Sequence, residues 1–180
     1  MTKYTSGIII DRSTLPKGER LLIFSKDLGL CHFIYPYKVK NLNLDILNLI
    51  SFQVKKNKDY MFIPQYIVIN YYENIRSSYH KKVVVQFVFE IIKKVIPENQ
   101  VEEKLYKLLV SFINSLEKTS DMNVITKNLT KFLNFLIREI GYSSENSQNL
   151  IDLISKLESL VNIEIKSKHL LFDKFNNEEV

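Results

Sequence analysis

The sequence predicts an α+β chain, with an N-terminal five-stranded β-barrel over residues 1–72 and an all-helical domain over residues 73–180. Three observations carry that expectation. Before Tyr72, short β-branched and aromatic runs alternate with regularly spaced turn signals. From Glu73 onward, apolar residues recur at helical spacing instead. The excess positive charge is confined to the first part: residues 1–60 hold ten basic and five acidic side chains, and residues 61–180 hold fifteen of each.

The strands read as follows. Ser6 to Asp11 is an apolar run that meets a polar turn, Ser13 to Gly18. Arg20 to Ser25 is the second run, and Lys26-Asp27-Leu28-Gly29 is a turn whose Asp and Gly suit a hairpin. Leu30 to Tyr37 is the third run, with Pro36 marking its end or an edge. Leu47 to Val54 is the fourth, and Lys55 to Asp59 is a charged loop tip. Tyr60 to Tyr72 is the fifth, interrupted at Pro64. Five such strands argue a small barrel of the OB-fold kind.

The helices follow from periodicity and caps. Val84, Phe87, Val88, Ile91, Ile92 and Val95 share one face, and Pro97 ends that helix. Glu102 to Leu116 carries a second apolar stripe. Ser120-Asp121 can cap a third helix running to Ile140, where Gly141 stops it. Its stripe is Ile125, Leu129, Phe132, Leu133, Leu136 and Ile137. Ser143-Ser144 can cap a fourth helix through Leu160, and Ile163 to Phe175 reads as a short last one.

Several functional classes find no support. There is no Walker loop, dinucleotide fingerprint or nucleophile elbow, so the chain is not expected to be an enzyme or to hold a cofactor. Cys31 is the one cysteine, which excludes a disulfide framework and a Cys-rich zinc site and suits a reducing, cytosolic compartment. His32, His80 and His169 are scattered without metal-ligand spacing, so no metal site is expected. No leader pattern and no apolar stretch of membrane-spanning length stands out.

The positive signal is a basic module with interleaved aromatics. Phe24, Phe33, Tyr35, Tyr37, Phe52, Tyr60, Phe62 and Tyr66 are spread over the strands, with cations at strand ends and turns. Barrels so edged bind single strands by stacking bases and tracking phosphates. Most of these aromatics are nevertheless expected in the core, because small domains bury their rings.

The order of motifs resembles the bacterial RecO family of DNA repair proteins. Thr5-Ser6-Gly7-Ile8-Ile9-Ile10 resembles its opening strand, and Lys17-Gly18-Glu19-Arg20-Leu21-Leu22-Ile23-Phe24 its next element. Ser25-Lys26-Asp27-Leu28-Gly29 is similar to its hairpin. Val95-Ile96-Pro97-Glu98 before Leu105-Tyr106-Lys107-Leu108-Leu109 looks like its helix pair. Phe132 to Tyr142 resembles its helix ending in Leu-Gly-Tyr, and Ile165 to Leu171 its terminal basic segment. Two departures stand out. The family's zinc-binding cysteine cluster is missing after Gly141-Tyr142, and its long basic loop is reduced to Pro36-Tyr37-Lys38-Val39-Lys40-Asn41. Fewer phosphate contacts mean a shallower salt dependence.

The resemblance implies a non-enzymatic recombination mediator, cytoplasmic and nucleoid-associated, with no metal and no cofactor. It would bind single- and double-stranded DNA, anneal single strands and help load recombinase with a RecR-type partner. Its helical domain would contact the C-terminal tail of single-stranded-DNA-binding protein. DNA contacts are expected at Lys17, Arg20, Lys26, Lys38, Lys40, Lys55, Lys56 and Lys58, and partner contacts at Lys81, Lys82 and Arg138. The competing expectation is a helical protein-interaction module whose barrel is vestigial or binds protein.

Overall fold

The computed structural model describes residues 4–16, 18–36, 44–58, 60–142, 147 and 149–175. The chain is α+β and divides into two compact units, Met1–Tyr72 with Ile96–Tyr106, and Glu73–Val95 with Lys107–Val180.

The first unit is built on a curled sheet of seven strands rather than the expected five. The strands are β1 (Tyr4–Leu15), β2 (Gly18–Ser25), β3 (Gly29–Pro36), β4 (Leu49–Gln53), β5 (Lys55–Lys56), β6 (Met61–Phe62) and β7 (Tyr66–Asn70), in the order β5-β6-β3-β2-β1-β4-β7. The higher count has a local cause. One extra strand, β5, forms in the expected loop tip just past the fourth run, and the fifth run is broken at Ile63–Gln65, where Pro64 has no N–H to give a ladder. The expected charged loop tip is shorter than read. Lys55 and Lys56 pair with Phe62 and Met61, and Asn57 N–H donates to the Tyr60 carbonyl at 2.8 Å to close the turn.

β1 is longer than its apolar run. The polar residues Ser13 and Thr14 pair with Arg20 and Glu19, extending the ladder to Leu15. Arg12 locks that extension by donating to Glu19 Oε1 at 2.6 Å and to the Leu44 carbonyl at 2.7 Å. A register shift between Ile9 and Asp11 leaves Ile10 as an extra residue, which bends the strand. β1 pairs along one edge with β2 over Gly7–Leu15 and along the other with β4 over Tyr4–Ile8.

Alternation sends Ile9, Leu21, Ile23, Phe33, Ile50 and Phe52 into one interior cluster. Phe33 and Phe52 meet edge to face at 5.3 Å. The segment Ile96–Tyr106 packs on the other side of β2 and β3. Asn99 N–H donates to the Leu30 carbonyl at 2.9 Å, and the Tyr106 ring lies edge-on to Phe24 at 6.0 Å. The Tyr106 hydroxyl donates to Ser6 Oγ at 3.0 Å. The approach demands a glycine at position 29: its φ is +73°, and a Cβ there would overlap the Gln100 carbonyl.

The second unit contains α1 (Glu73–Ser77), α2 (Tyr79–Val95), α4 (Met122–Glu139), α5 (Leu150–Val161), α6 (Lys168–Phe175) and all but the first turn of α3 (Glu103–Lys118). Carboxylates satisfy the orphan N–H groups at helix starts. Asp121 caps α4 by accepting from Asn123 N–H at 2.9 Å, and Glu117 accepts from Asn74 and Ile75 at the start of α1, at 3.0 and 2.9 Å. α4 ends in a Schellman arrangement at Gly141, with Gly141 N–H on Arg138 and Tyr142 N–H on Ile137. α5 starts later than expected, because Asn149 caps it by accepting from Ile151 N–H at 2.9 Å. Ser143 and Ser144 lie outside the described residues.

Glu90 of α2 holds the entry to α6. It accepts from the N–H groups of Lys166 and Ser167 at 2.8 Å each, from Ser167 Oγ at 2.5 Å and from Lys94 Nζ at 2.7 Å. Partial burial pushes this carboxyl upward, but those donors outweigh it and hold it at about 2 instead of the ordinary 4.5.

Two outcomes follow from these contacts. Gly29→Ala should destabilise the chain by at least about 2 kcal/mol in urea unfolding, since strain and overlap act together. Glu90→Gln should cost about 1–3 kcal/mol at neutral pH. A lowered carboxylate stabilises above its unfolded value and loses that contribution as pH falls through its folded one. The gap between wild type and variant in thermal melts should therefore close between pH 4.5 and about 2. A gap constant across that window would mean that the charge is not the source.

Candidate nucleic-acid interface

The ladder places one row of side chains across four strands. Arg20 on β2 pairs with Ile34 on β3, Ile34 with Phe62 on β6, and Phe62 with Lys55 on β5. Directly opposed residues share a face, so these four project outward while Leu21, Phe33 and Met61 turn toward the interior. Arg20 and Lys55 are exposed, and Ile34 and Phe62 are half-buried between them. At one strand spacing per step, the row spans about 14 Å.

The hairpin tip continues this surface. Lys56, Lys58 and Tyr60 are exposed, and the Tyr60 ring lies 6.2 Å from that of Phe62, tilted by 58°. Arg20 is steadied by donating from Nε to Ser13 Oγ at 3.2 Å. Among the described residues, no carboxylate pairs with Arg20, Lys55, Lys56 or Lys58. Nearby acids are engaged elsewhere: Glu19 with Arg12 at 2.6 Å, and Glu98 with His32 at 3.2 Å. Lys56 opposes Met61 and so stands on the other face of β5 from Lys55, which leaves Tyr60 and the half-buried Phe62 flanked by three cations, Arg20, Lys55 and Lys58. Such a surface can stack bases and neutralise phosphates.

The other expected contacts fall differently. Lys26 is half-buried in the turn after β2, six residues and about 20 Å along the strand from Arg20, so it does not join the cluster. Lys17, Lys38 and Lys40 lie outside the described residues, as does Tyr37. Of the other aromatics, Phe24, Phe33 and Phe52 are fully buried, Tyr35 is nearly so, and Tyr66 packs against the core.

In the helical unit, Lys81 is not a surface cation. It is 5% exposed, with Nζ donating to the Glu117 carbonyl at 3.4 Å, because it sits on the apolar face of α2 three residues before Val84. Lys82 is exposed on α2, and Arg138 is exposed near the end of α4 with Nε on the Asn134 carbonyl at 3.4 Å.

Sequence reasoning did not single out Tyr60 and Phe62 from the other rings. The strict alternation through Met61, Phe62 and Ile63 is the signal that could have done so. It also missed Ile67 and Ile69, which are 65% and 55% exposed on the outer side of β7.

The chemistry of Cys31 is muted. It is buried, and burial, followed by the nearby Glu98 charge, pushes its thiol up. Its Sγ donates to the Leu28 carbonyl at 3.1 Å and to Asn99 Oδ1 at 3.3 Å. Among the described residues, no three His, Cys, Asp or Glu side chains gather to hold a metal, and no helix is long and apolar enough to cross a membrane. No family model matches the chain, and no curated protein matches it.

Proposed function

We propose that this chain is a non-enzymatic, DNA-binding recombination mediator of the RecO kind, which holds single strands on the outer face of β2, β3, β6 and β5. The observation that carries the reading is the row Arg20, Ile34, Phe62 and Lys55, with Tyr60 beside it and, among the described residues, no carboxylate paired with Arg20 or Lys55. Tyr60 and Phe62 stack unpaired bases at about 1–3 kcal/mol each, and the cations follow the backbone. The curled sheet is read as an OB-fold. Residues 49–56 and 61–70 are the two arms of one interrupted hairpin, joined by the turn at Asn57 to Tyr60. On this reading the seven strands group into five arms. The reading is supported by the first arm pairing with β1 and by the second touching β3 at the single pair Ile34–Phe62. Ligands of this fold favour the strand 2–3 face and the loop of that hairpin, where this row lies.

Annealing of single strands, cooperation with a RecR-type partner, and contact of the helical unit with the C-terminal tail of single-stranded-DNA-binding protein belong to the same proposal. The exposed Lys82 and Arg138 suit an acidic tail. The place of action is the cytoplasm, at the nucleoid. A second reading, a protein-binding barrel, is favoured by one observation: Ile67 and Ile69 stand exposed side by side on β7.

A fluorescent oligothymidine titrated at increasing salt separates the two. Three phosphate contacts, from Arg20, Lys55 and Lys58, should give a slope of log affinity against log salt of about −2.1. Phe62→Ala should weaken binding by roughly 5- to 100-fold. Joint replacement of Lys55, Lys56 and Lys58 by Glu should abolish it. Absence of binding at low salt would overturn the proposal, and undiminished binding by these variants would remove this face from it.

A further inference from the structure

The outer side of β2 and β3 is laid out in three successive rows of paired residues: Phe24 with Leu30, Leu22 with His32, and Arg20 with Ile34. Alternate residues share a face, so each row stands two residues, about 7 Å, from the next. The first row is covered by the returning segment Ile96–Tyr106, whose Tyr106 ring lies against Phe24 and whose Asn99 N–H bonds the Leu30 carbonyl. The third row belongs to the cationic surface. On the middle row the same segment sets a negative charge. Glu98 Oε1 lies 3.2 Å from His32 Nε2, and the Glu98 side chain is 57% exposed and that of His32 36%.

The backbone fixes this carboxylate in place. Glu98 forms a parallel bridge with Leu30. Asn99 follows at φ +62°, a left-handed conformation that Asn tolerates, and its Oδ1 accepts from Cys31 Sγ at 3.3 Å. Gln100 packs directly on Gly29. His32 presents one edge to an anion, because Nδ1 is buried and, among the described residues, has no partner, which leaves Nε2.

We propose that Glu98 is an internal competitor of the bound strand. Its carboxylate takes, on His32, the place of a phosphate oxygen and closes the site at the middle row. A single strand then follows the cationic row and does not spread over His32. The inference rests on the single-strand reading of that row and names the element that limits it. Distance supports competition: about 7 Å between rows is inside the screening length of about 8–10 Å at ordinary salt, so a phosphate on Arg20 is repelled by the Glu98 charge. A purely structural role is a poorer account. An ion pair this exposed contributes little to stability, and the segment already has its Asn99 and Tyr106 contacts to hold it.

The test is oligothymidine binding by fluorescence anisotropy at low and high salt, with the full chain and its Glu98 variants. Glu98→Gln keeps the size and the hydrogen bond and removes the charge. It should bind roughly 2- to 5-fold tighter at low salt, and the gain should vanish at high salt. Glu98→Asp keeps the charge and should bind as the wild type does. Adding His32→Gln to Glu98→Gln should lose part of the gain, because no imidazole is left to receive a phosphate. Equal affinity of Glu98→Gln and wild type, where the wild type binds and Phe62→Ala impairs it, overturns the inference and leaves the cationic row standing. A gain that persists at high salt overturns it too, since that marks a loosened segment, and so does an undiminished gain in the double variant. A wild type that binds no oligothymidine removes the row and this inference together.

Discussion

The first unit depends on one parallel contact, the pairing of Ile34 on β3 with Phe62 on β6. The other main ladders of the sheet are antiparallel and join strands near each other in the chain or anchored on β1. This one joins positions 28 residues apart and brings the end of the sheet that carries the second hairpin alongside β3. Without it, β5 and β6 would part from β3, and Lys55 would no longer share a row with Arg20. Closure entropy grows only slowly with loop length, so a long connection before β4 is a tolerable cost once the interior cluster is filled. That cluster draws on every major strand, from Ile9 to Phe52, which is why the curl persists through the breaks at Val54 and Pro64.

The helical unit relies on carboxylates that serve backbone amides more than cations. Glu90 and Glu117 each accept a main-chain N–H from a segment distant in sequence, and Glu158 accepts that of Ile165 just past α5. The bonds of Glu117 satisfy donors that the start of α1 would otherwise leave orphaned, and those of Glu90 and Glu158 hold the segment that leads into α6. Apolar stripes supply the burial, and these acids set the direction of the chain. A neutral total charge in this part of the sequence therefore conceals two kinds of residue: acids committed to amides, and lysines left facing solvent.

Legibility varied with how local the cause was. α4 was readable at both ends, since Asp121 and Gly141 are the residues that make its caps. The start of α5 was not, because Ser143, Ser144 and Asn149 all offer capping oxygens, and the helix begins beside the last of them. Ser13 and Thr14 looked like a turn on polarity alone, but cross-strand partners on β2 drew them into β1. Lys81 could have been placed correctly, since helical spacing from Val84 already puts it on the buried face. The burial of Phe24 was expected of a core ring, but its cover was beyond reach: it lies on the outer side of β2 under Tyr106, a residue 82 positions later, with no trace in its own neighbourhood. Among the candidate site residues, cations at strand ends and turns were legible by type. Their grouping was not, because it follows from the register.

The return of Ile96–Tyr106 to the first unit has a consequence for synthesis. The chain passes from one unit to the other three times, after Tyr72, Val95 and Tyr106. A nascent chain that has emerged only as far as Tyr72 has all its strands but lacks the covers of Leu30 and Phe24. Its β2–β3 outer side stays greasy until more than thirty further residues, including all of α2, leave the ribosome. The two units consequently cannot mature one after the other in strict N-to-C order, as independent beads on a string would.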